Sequence, residues 1–216
     1  MVIALDVGTS SVRAALHDDA GRAVPGRFHR IAYEPATSAD GGVEHDAAAL
    51  VDVALRCLDA VARGPAGEVH AVGVTTFWHG LLGFDAAGHP ITPVFMWADS
   101  RSARDASLLR DALDEEALRV RTGCHVHASY WPAKLRWLAR TRPAEAARVA
   151  RWGSIGEALE LALFGEATTS VSMASGTGLL DQDAVAWDRE ALAAAGVEPD
   201  RLFPLDEGLR VRDLRP

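Results

Sequence analysis

The amino-acid sequence predicts an α/β fold, a mixed sheet with helices packed on it. Two observations carry this reading. The first third alternates short apolar runs with turn residues, and from Asp46 onward apolar residues recur at helical spacing, interrupted by one more strand and a hairpin. Val2–Leu5 reads as a buried strand, Gly8–Ser11 as a turn and Val12–His17 as a second strand. Asp18–Gly21 then turns into a third, partly polar strand, Val24–Tyr33, which completes an antiparallel meander. Leu50, Ala54, Leu58 and Val61 mark one face of a helix, with Asp46 as its N-cap and Gly64 and Pro65 as its stop. Val69–Thr75 reads as a central strand, and Leu81–Phe84 with Ile91–Phe95 flank Asp85, Ala86, Ala87 and Gly88 as a hairpin. Ser100–Leu113, Pro132–Arg140, Pro143–Arg151 and Ser154–Phe164 read as helices, the last stopped by Gly165. Gly208–Pro216 loses apolar periodicity, so one domain is expected over residues 1–207 and the start of a connection over 208–216.

The totals restrict the class of function. With 216 residues and 49% apolar content the chain can bury a substantial core. A formal charge of -8 and the absence of a Lys/Arg-rich run argue against nucleic acid or an anionic membrane as partner, which leaves small-molecule chemistry. No stretch reaches the length of a membrane span, and the apolar start Met1–Leu5 is cut off by Asp6, too short for a secretory segment. Cys57 and Cys124 lack zinc-type spacing, and Cys57 falls on the apolar stripe of the first helix, as expected in a reducing cytoplasm.

The run Asp6, Val7, Gly8, Thr9, Ser10, Ser11, Val12, Arg13 places a carboxylate at the end of a buried strand and small residues on the turn that follows. Gly8 lets the backbone approach a ligand, and the turn N–H groups with the hydroxyls of Thr9 and Ser10 can donate to phosphate oxygens. Arg13 can add a charge-assisted contact. Asp6 suits Mg²⁺, which keeps its waters and takes few carboxylates. Such turns are also common as plain hairpins.

A second group follows the strand Val69–Thr75. His79 and Gly80 come after Phe77 and Trp78, at a strand end where α/β sheets place ligands. Trp97, Asp99 and Arg101 then offer an apolar ring, a carboxylate acceptor and a guanidinium within five residues, the mixture that polyol recognition needs. Alternatively, Asp99 caps the helix starting near Ser100 and Arg101 is a first-turn residue.

Taken in order, Asp6 to Arg13, then Glu44, His45 and Asp46, His79 and Gly80, Trp97, Asp99 and Arg101, Thr122 and Gly123, and Lys134 with Trp137 resemble the FGGY carbohydrate kinases from Val2 to about Phe203. The resemblance implies an RNase H-like domain of the actin, hexokinase and sugar-kinase superfamily, with ATP and Mg²⁺ as cosubstrates. It implies that Asp6 serves catalysis and the metal, that Gly8, Thr9, Ser10 and Arg13 bind the cofactor, and that His79, Trp97, Asp99 and Arg101 contact the sugar. The segments Trp97–Arg101, Thr122–His127 and Ser170–Gly178 look most like the gluconate kinases. Two departures bear on substrate. Phe77 and Trp78 stand where smaller or Met-containing residues are expected, and Ser170 stands where many relatives carry Asp.

In the resembled family the general base is an Asp of a second, C-terminal domain, so the chain alone is expected to be inactive and to need that domain as its partner. The surface that would pack on the missing domain also favours a homodimer. Two other readings stay open: a non-catalytic sugar-binding or regulatory module, and an actin-like ATPase sharing only the phosphate turn.

Overall fold

The computed structural model describes residues 1–63 and 68–206. Along the chain run strands β1 (Val2–Val7), β2 (Ser11–His17), β3 (Ala23–Ala32), β4 (Ala36–Thr37) and β5 (Val43–His45), then helix α1 (Ala47–Ala62). They are followed by β6 (Ala71–Thr76), β7 (Leu82–Phe84), β8 (Val94–Phe95) and helices α2 (Ala103–Ala112), α3 (Glu115–Thr122), α4 (Trp131–Thr141) and α5 (Pro143–Arg148). The remainder is β9 (Arg151–Gly153), α6 (Ile155–Phe164), β10 (Thr169–Ser170), α7 (Val171–Ser175), β11 (Leu180–Asp181), β12 (Ala186–Trp187), α8 (Arg189–Ala195) and β13 (Leu205–Asp206). Two compact units emerge, residues 1–35 with 48–77 and residues 36–47 with 78 onward.

The first unit is a four-stranded mixed sheet in the order β3-β2-β1-β6, with β1 antiparallel to β2 and parallel to β6. The expected meander β1 to β3 is present. Ile3, Leu5 and Val7 of β1 face one side with their cross-strand partners Leu16, Ala14 and Val12, and all six are buried. The α1 stripe Leu50, Ala54, Cys57 and Val61 is buried with them, and the Cys57 thiol reaches the Val12 carbonyl at 3.7 Å. Period-2 burial in the strands and period-3.6 burial in the helix meet in one core. The helix stop expected at Gly64 and Pro65 lies outside the described residues.

The strand expected over Val69–Thr75 requires correction. It spans Ala71–Thr76 and lies at the edge of the described sheet, not its centre. Val72 and Val74 share the face of Ile3 and Leu5 through register, yet remain 45% and 49% exposed. Its β-branched apolar run reads as fully buried, and the sequence carries no signal for which neighbours are present to bury it.

The core of the second unit is built around α4, whose Trp131, Leu135 and Leu138 pack with Leu109 of α2, Leu118 of α3, Leu192 of α8 and Phe95 of β8. Three expectations change here. The reversal at Asp85–Gly88 forms, with Gly88 N–H donating to Asp85 O at 3.1 Å, but the hairpin ladder is reduced to bridges at Leu81 with Phe95 and Phe84 with Pro90. The ladder of β7 is made with β9 instead. Arg151 therefore belongs to β9, and the helix read as Pro143–Arg151 ends at Arg148. The helix read from Ser100 begins at Ala103, because residues 99–102 are taken up in turns in which Ala103 N–H donates to Ser100 O. The segments β4, β5 and α3 had no assignment from sequence. Helix α6 is as read, with a capping box of Ser154 and Glu157 and Gly165 left-handed at its end.

Candidate functional site

The phosphate-type turn lies in the first unit. Asp6 sits inside β1 opposite Arg13, one residue deeper than the sequence suggests, and Arg13 Nη1 donates to Asp6 Oδ2 at 3.2 Å. Gly8 N–H donates to Ser11 O at 3.0 Å, and a Cβ on Gly8 would crowd that same oxygen at 3.1 Å, so the tight bend favours glycine. Thr9 and Ser10 are exposed at its tip. Tyr33 fixes the bend from behind: its N–H donates to Ser10 O at 3.0 Å and its hydroxyl to Gly8 O. Burial, reinforced by the nearby charge of Asp6, pushes the Tyr33 phenol up to about 12, which keeps it a donor. Sequence reading missed Tyr33, which closes the third strand without any motif around it.

A bend that exposes the hydroxyl residues Thr9 and Ser10 beside an arginine fits a phosphate group. Among the described residues no cluster of three or more His, Cys, Asp or Glu could hold a metal. A cation at Asp6 would therefore rely on waters and phosphate oxygens, as Mg²⁺ commonly does.

The predicted sugar residues lie in the second unit. His79 has φ 65, a left-handed backbone that non-glycine residues seldom adopt. Its Nδ1 lies 2.5 Å from Gly176 O. A carbonyl only accepts, so Nδ1 carries the proton and Nε2 of the neutral ring is the acceptor. Burial, aided by the Lys134 charge and opposed by the Gly176 bond, holds the imidazole below its ordinary pKa, so it is neutral at pH 7. Tyr130 packs edge-on to the ring at 4.7 Å, and Trp78 lies beside it at 5.9 Å, 49% exposed. Gly176 completes this wall, since a Cβ there would approach the Trp78 ring to 3.1 Å.

Trp97 is also 49% exposed, and its carbonyl accepts from Ser129 Oγ at 2.8 Å. Asp99 and Arg101 behave differently, because they are turned on each other. Asp99, 2% exposed, accepts from Val43 N–H at 3.2 Å, from Arg101 N–H at 3.1 Å and from the Arg101 guanidinium. The guanidinium also bonds Glu44 and stacks over Trp137 at 4.5 Å. The alternative in which Asp99 caps a helix is realised only locally, through the Arg101 N–H, since the N-cap position of α2 is Ser102.

Lys134 of α4, 1% exposed, donates to His79 O at 2.8 Å and Ser129 O at 2.6 Å. Burial pulls its pKa down to about 7, opposed by the charge of Asp99. Trp131 Nε1 donates to Gly80 O at 3.1 Å. Lys134 belongs to the sequence pattern but drew no role from it. The signal available was its i,i+4 spacing from Tyr130 at the start of an otherwise apolar helix face.

The second unit thus offers a neutral imidazole with a defined acceptor nitrogen, two exposed indoles and a buried ion-pair scaffold, and the first a phosphate-type bend. Residues 1–211 match the FGGY family of carbohydrate kinases, N-terminal domain. The chain is 26% identical over 205 residues to a gluconokinase of Bacillus subtilis, covering 94% of this chain and 40% of that protein. It is 34% identical over 202 residues to a xylulose kinase of Streptomyces coelicolor, covering 92% and 41%. In structure it is similar to a gluconate kinase from Lactobacillus acidophilus, with a TM-score of 0.89, 23% identity and coverage of 95% of this chain and 41% of that one, a likeness that shows the fold. The fold is the actin and hexokinase type, as expected. The chain spans about 40% of the length of the curated relatives it matches. It belongs to the FGGY family of carbohydrate kinases and corresponds to the family's N-terminal domain.

Proposed function

We propose that this chain supplies the sugar-binding half and the first phosphate turn of an ATP-dependent kinase acting on a small sugar, polyol or sugar acid, with a gluconate-like acid favoured. The observation that carries the reading is His79. A neutral imidazole whose Nδ1–H is committed to Gly176 O can only accept at Nε2, which suits a hydroxyl donor. The exposed rings of Trp78 and Trp97 supply apolar faces for C–H surfaces of a polyol. Asp99 and Arg101 shape the site by holding the Trp97 segment against Val43 and Glu44. A direct contact from Asp99 to a sugar would compete with the bonds it already accepts.

ATP, when bound, supplies the phosphoryl group that is transferred. The bend Gly8–Ser10 and Arg13 would hold its phosphate oxygens, and Asp6 would orient Mg²⁺, directly or through water. Phosphoryl transfer also needs a group that takes the hydroxyl proton. By the family resemblance that base comes from a C-terminal domain, which makes that domain the partner and leaves the isolated chain without turnover. Charge and composition fit cytoplasmic small-molecule metabolism, with neither nucleic acid nor membrane as partner. Among the described residues no helix is long and apolar enough to cross a membrane.

The test is calorimetric titration of the chain with gluconate, xylulose and glycerol, alongside coupled ADP release. Gluconate is expected to bind tightest and ADP release to stay at background. Absence of binding by all three would remove the sugar reading.

A further inference from the structure

The Lys134 ammonium is buried among backbone carbonyls, not against a carboxylate. It is 1% exposed, it donates to His79 O at 2.8 Å and Ser129 O at 2.6 Å, and it meets Asp99 only as a neighbouring charge. Burying a charge without a bonded counter-ion is costly, and hydrophobic packing alone would be served by leucine or methionine at this position of α4. The two carbonyls it joins are not arbitrary. One belongs to His79, whose own backbone is left-handed. The other belongs to Ser129, whose own hydroxyl donates to Trp97 O at 2.8 Å. A continuous set of bonds therefore runs from His79 through Lys134 and Ser129 to Trp97.

The same end of α4 grips the His79 segment twice more, through the Trp131 indole on Gly80 O at 3.1 Å and the edge of Tyr130 on the imidazole at 4.7 Å. Of the three, only Lys134 donates both to the His79 segment and to Ser129, the residue whose hydroxyl holds the Trp97 carbonyl.

We propose that Lys134 is a positioning residue of the sugar site: its buried ammonium clamps the His79 carbonyl and, through Ser129, fixes Trp97, so that the imidazole and the indole are presented to the sugar as one rigid pair. This rests on the sugar-binding reading for its purpose, although the clamp itself is a feature of the second unit alone. Preorganisation of this kind raises affinity by removing the cost of ordering two separate contact groups on binding.

The experiment uses the whole chain, with ¹⁵N-labelled histidine, and compares wild type, Lys134→Met and Ser129→Ala. Two readouts are taken: the tautomer of the His79 imidazole by long-range ¹H–¹⁵N correlation, and gluconate affinity by calorimetry. Wild type is expected to show the Nδ1–H tautomer alone. Lys134→Met is expected to release His79 into a mixture of tautomers and to weaken gluconate at least tenfold. Ser129→Ala, which removes only the hydroxyl of a half-buried residue, is expected to keep the tautomer and weaken gluconate about threefold. A folded Lys134→Met protein with an unchanged His79 tautomer and unchanged affinity overturns the proposal. If Lys134→Met does not fold, unchanged affinity in Ser129→Ala overturns it. If wild type binds no sugar, the sugar-binding reading falls, while the His79 tautomer in the variants still decides whether the clamp exists.

Discussion

The Nδ1 of His79 and the carbonyl of Gly176, 97 residues apart in sequence, are joined at 2.5 Å, and that one bond sets which nitrogen of the imidazole can face a ligand. It also joins the His79 segment to the α7 turn, where Ser170 caps the helix by accepting from Met173 N–H at 3.1 Å.

From the His79 geometry follows a substitution that separates fold from binding. His79→Asn keeps a residue tolerant of left-handed backbone, so its melting temperature should stay within a few degrees of wild type. It shortens the side chain and removes the Nε2 acceptor, so gluconate affinity should fall at least tenfold, about 1.4 kcal/mol, read by calorimetry.

Arg101→Met tests whether the Asp99 and Arg101 pair is a scaffold. The change leaves a carboxylate that is 2% exposed without its cation, and urea unfolding should show a loss of about 3–5 kcal/mol. Adding Asp99→Asn should recover part of that loss, because the uncompensated charge is then gone. A loss no larger than that of an exposed ion pair, under about 1 kcal/mol, would count against the scaffold role.

Stability should depend on pH through Lys134. Its pKa is about 7 in the folded chain and 10.5 when unperturbed. Below pH 7 the amine is protonated in both states and the fold bears the cost of burying the charge. Between pH 7 and 10.5 the unfolded chain holds the extra proton, so unfolding becomes less favourable as pH rises. The urea midpoint of wild type, compared with that of Lys134→Met, should therefore climb from pH 7 to 8.5. Equal slopes for the two proteins would contradict this.

Tyr33→Phe should loosen the phosphate-type bend. It removes the donor to Gly8 O while retaining the ring, and should cost about 1 kcal/mol in urea unfolding. Affinity for ATP, followed by equilibrium dialysis, should drop as well if Gly8–Ser10 holds phosphate oxygens.

Much of this was legible in the sequence where local chemistry decides the outcome. The β1–β2 turn, the α1 stripe with Cys57 and the stop of α6 at Gly165 each depend on residues within a few positions of one another. What was not legible depends on distant partners. The edge position of β6, the pairing of β7 with β9 and the mutual engagement of Asp99 and Arg101 with Val43 and Glu44 are set by packing across long separations. His79 was readable as a candidate from its strand-end place, but its tautomer was not, because Gly176 lies far along the chain. The roles of Lys134 and Tyr33 stayed hidden for the same reason: each acts on backbone carbonyls, which leave no mark on residue type.

The proposed function turns on a sugar hydroxyl donating to Nε2 of His79. It is tested most directly by recording the imidazole ¹⁵N resonances of the chain before and after saturation with gluconate. The Nε2 resonance of His79 is expected to move while Nδ1 stays protonated. Saturating gluconate that leaves both His79 nitrogens unmoved would contradict it.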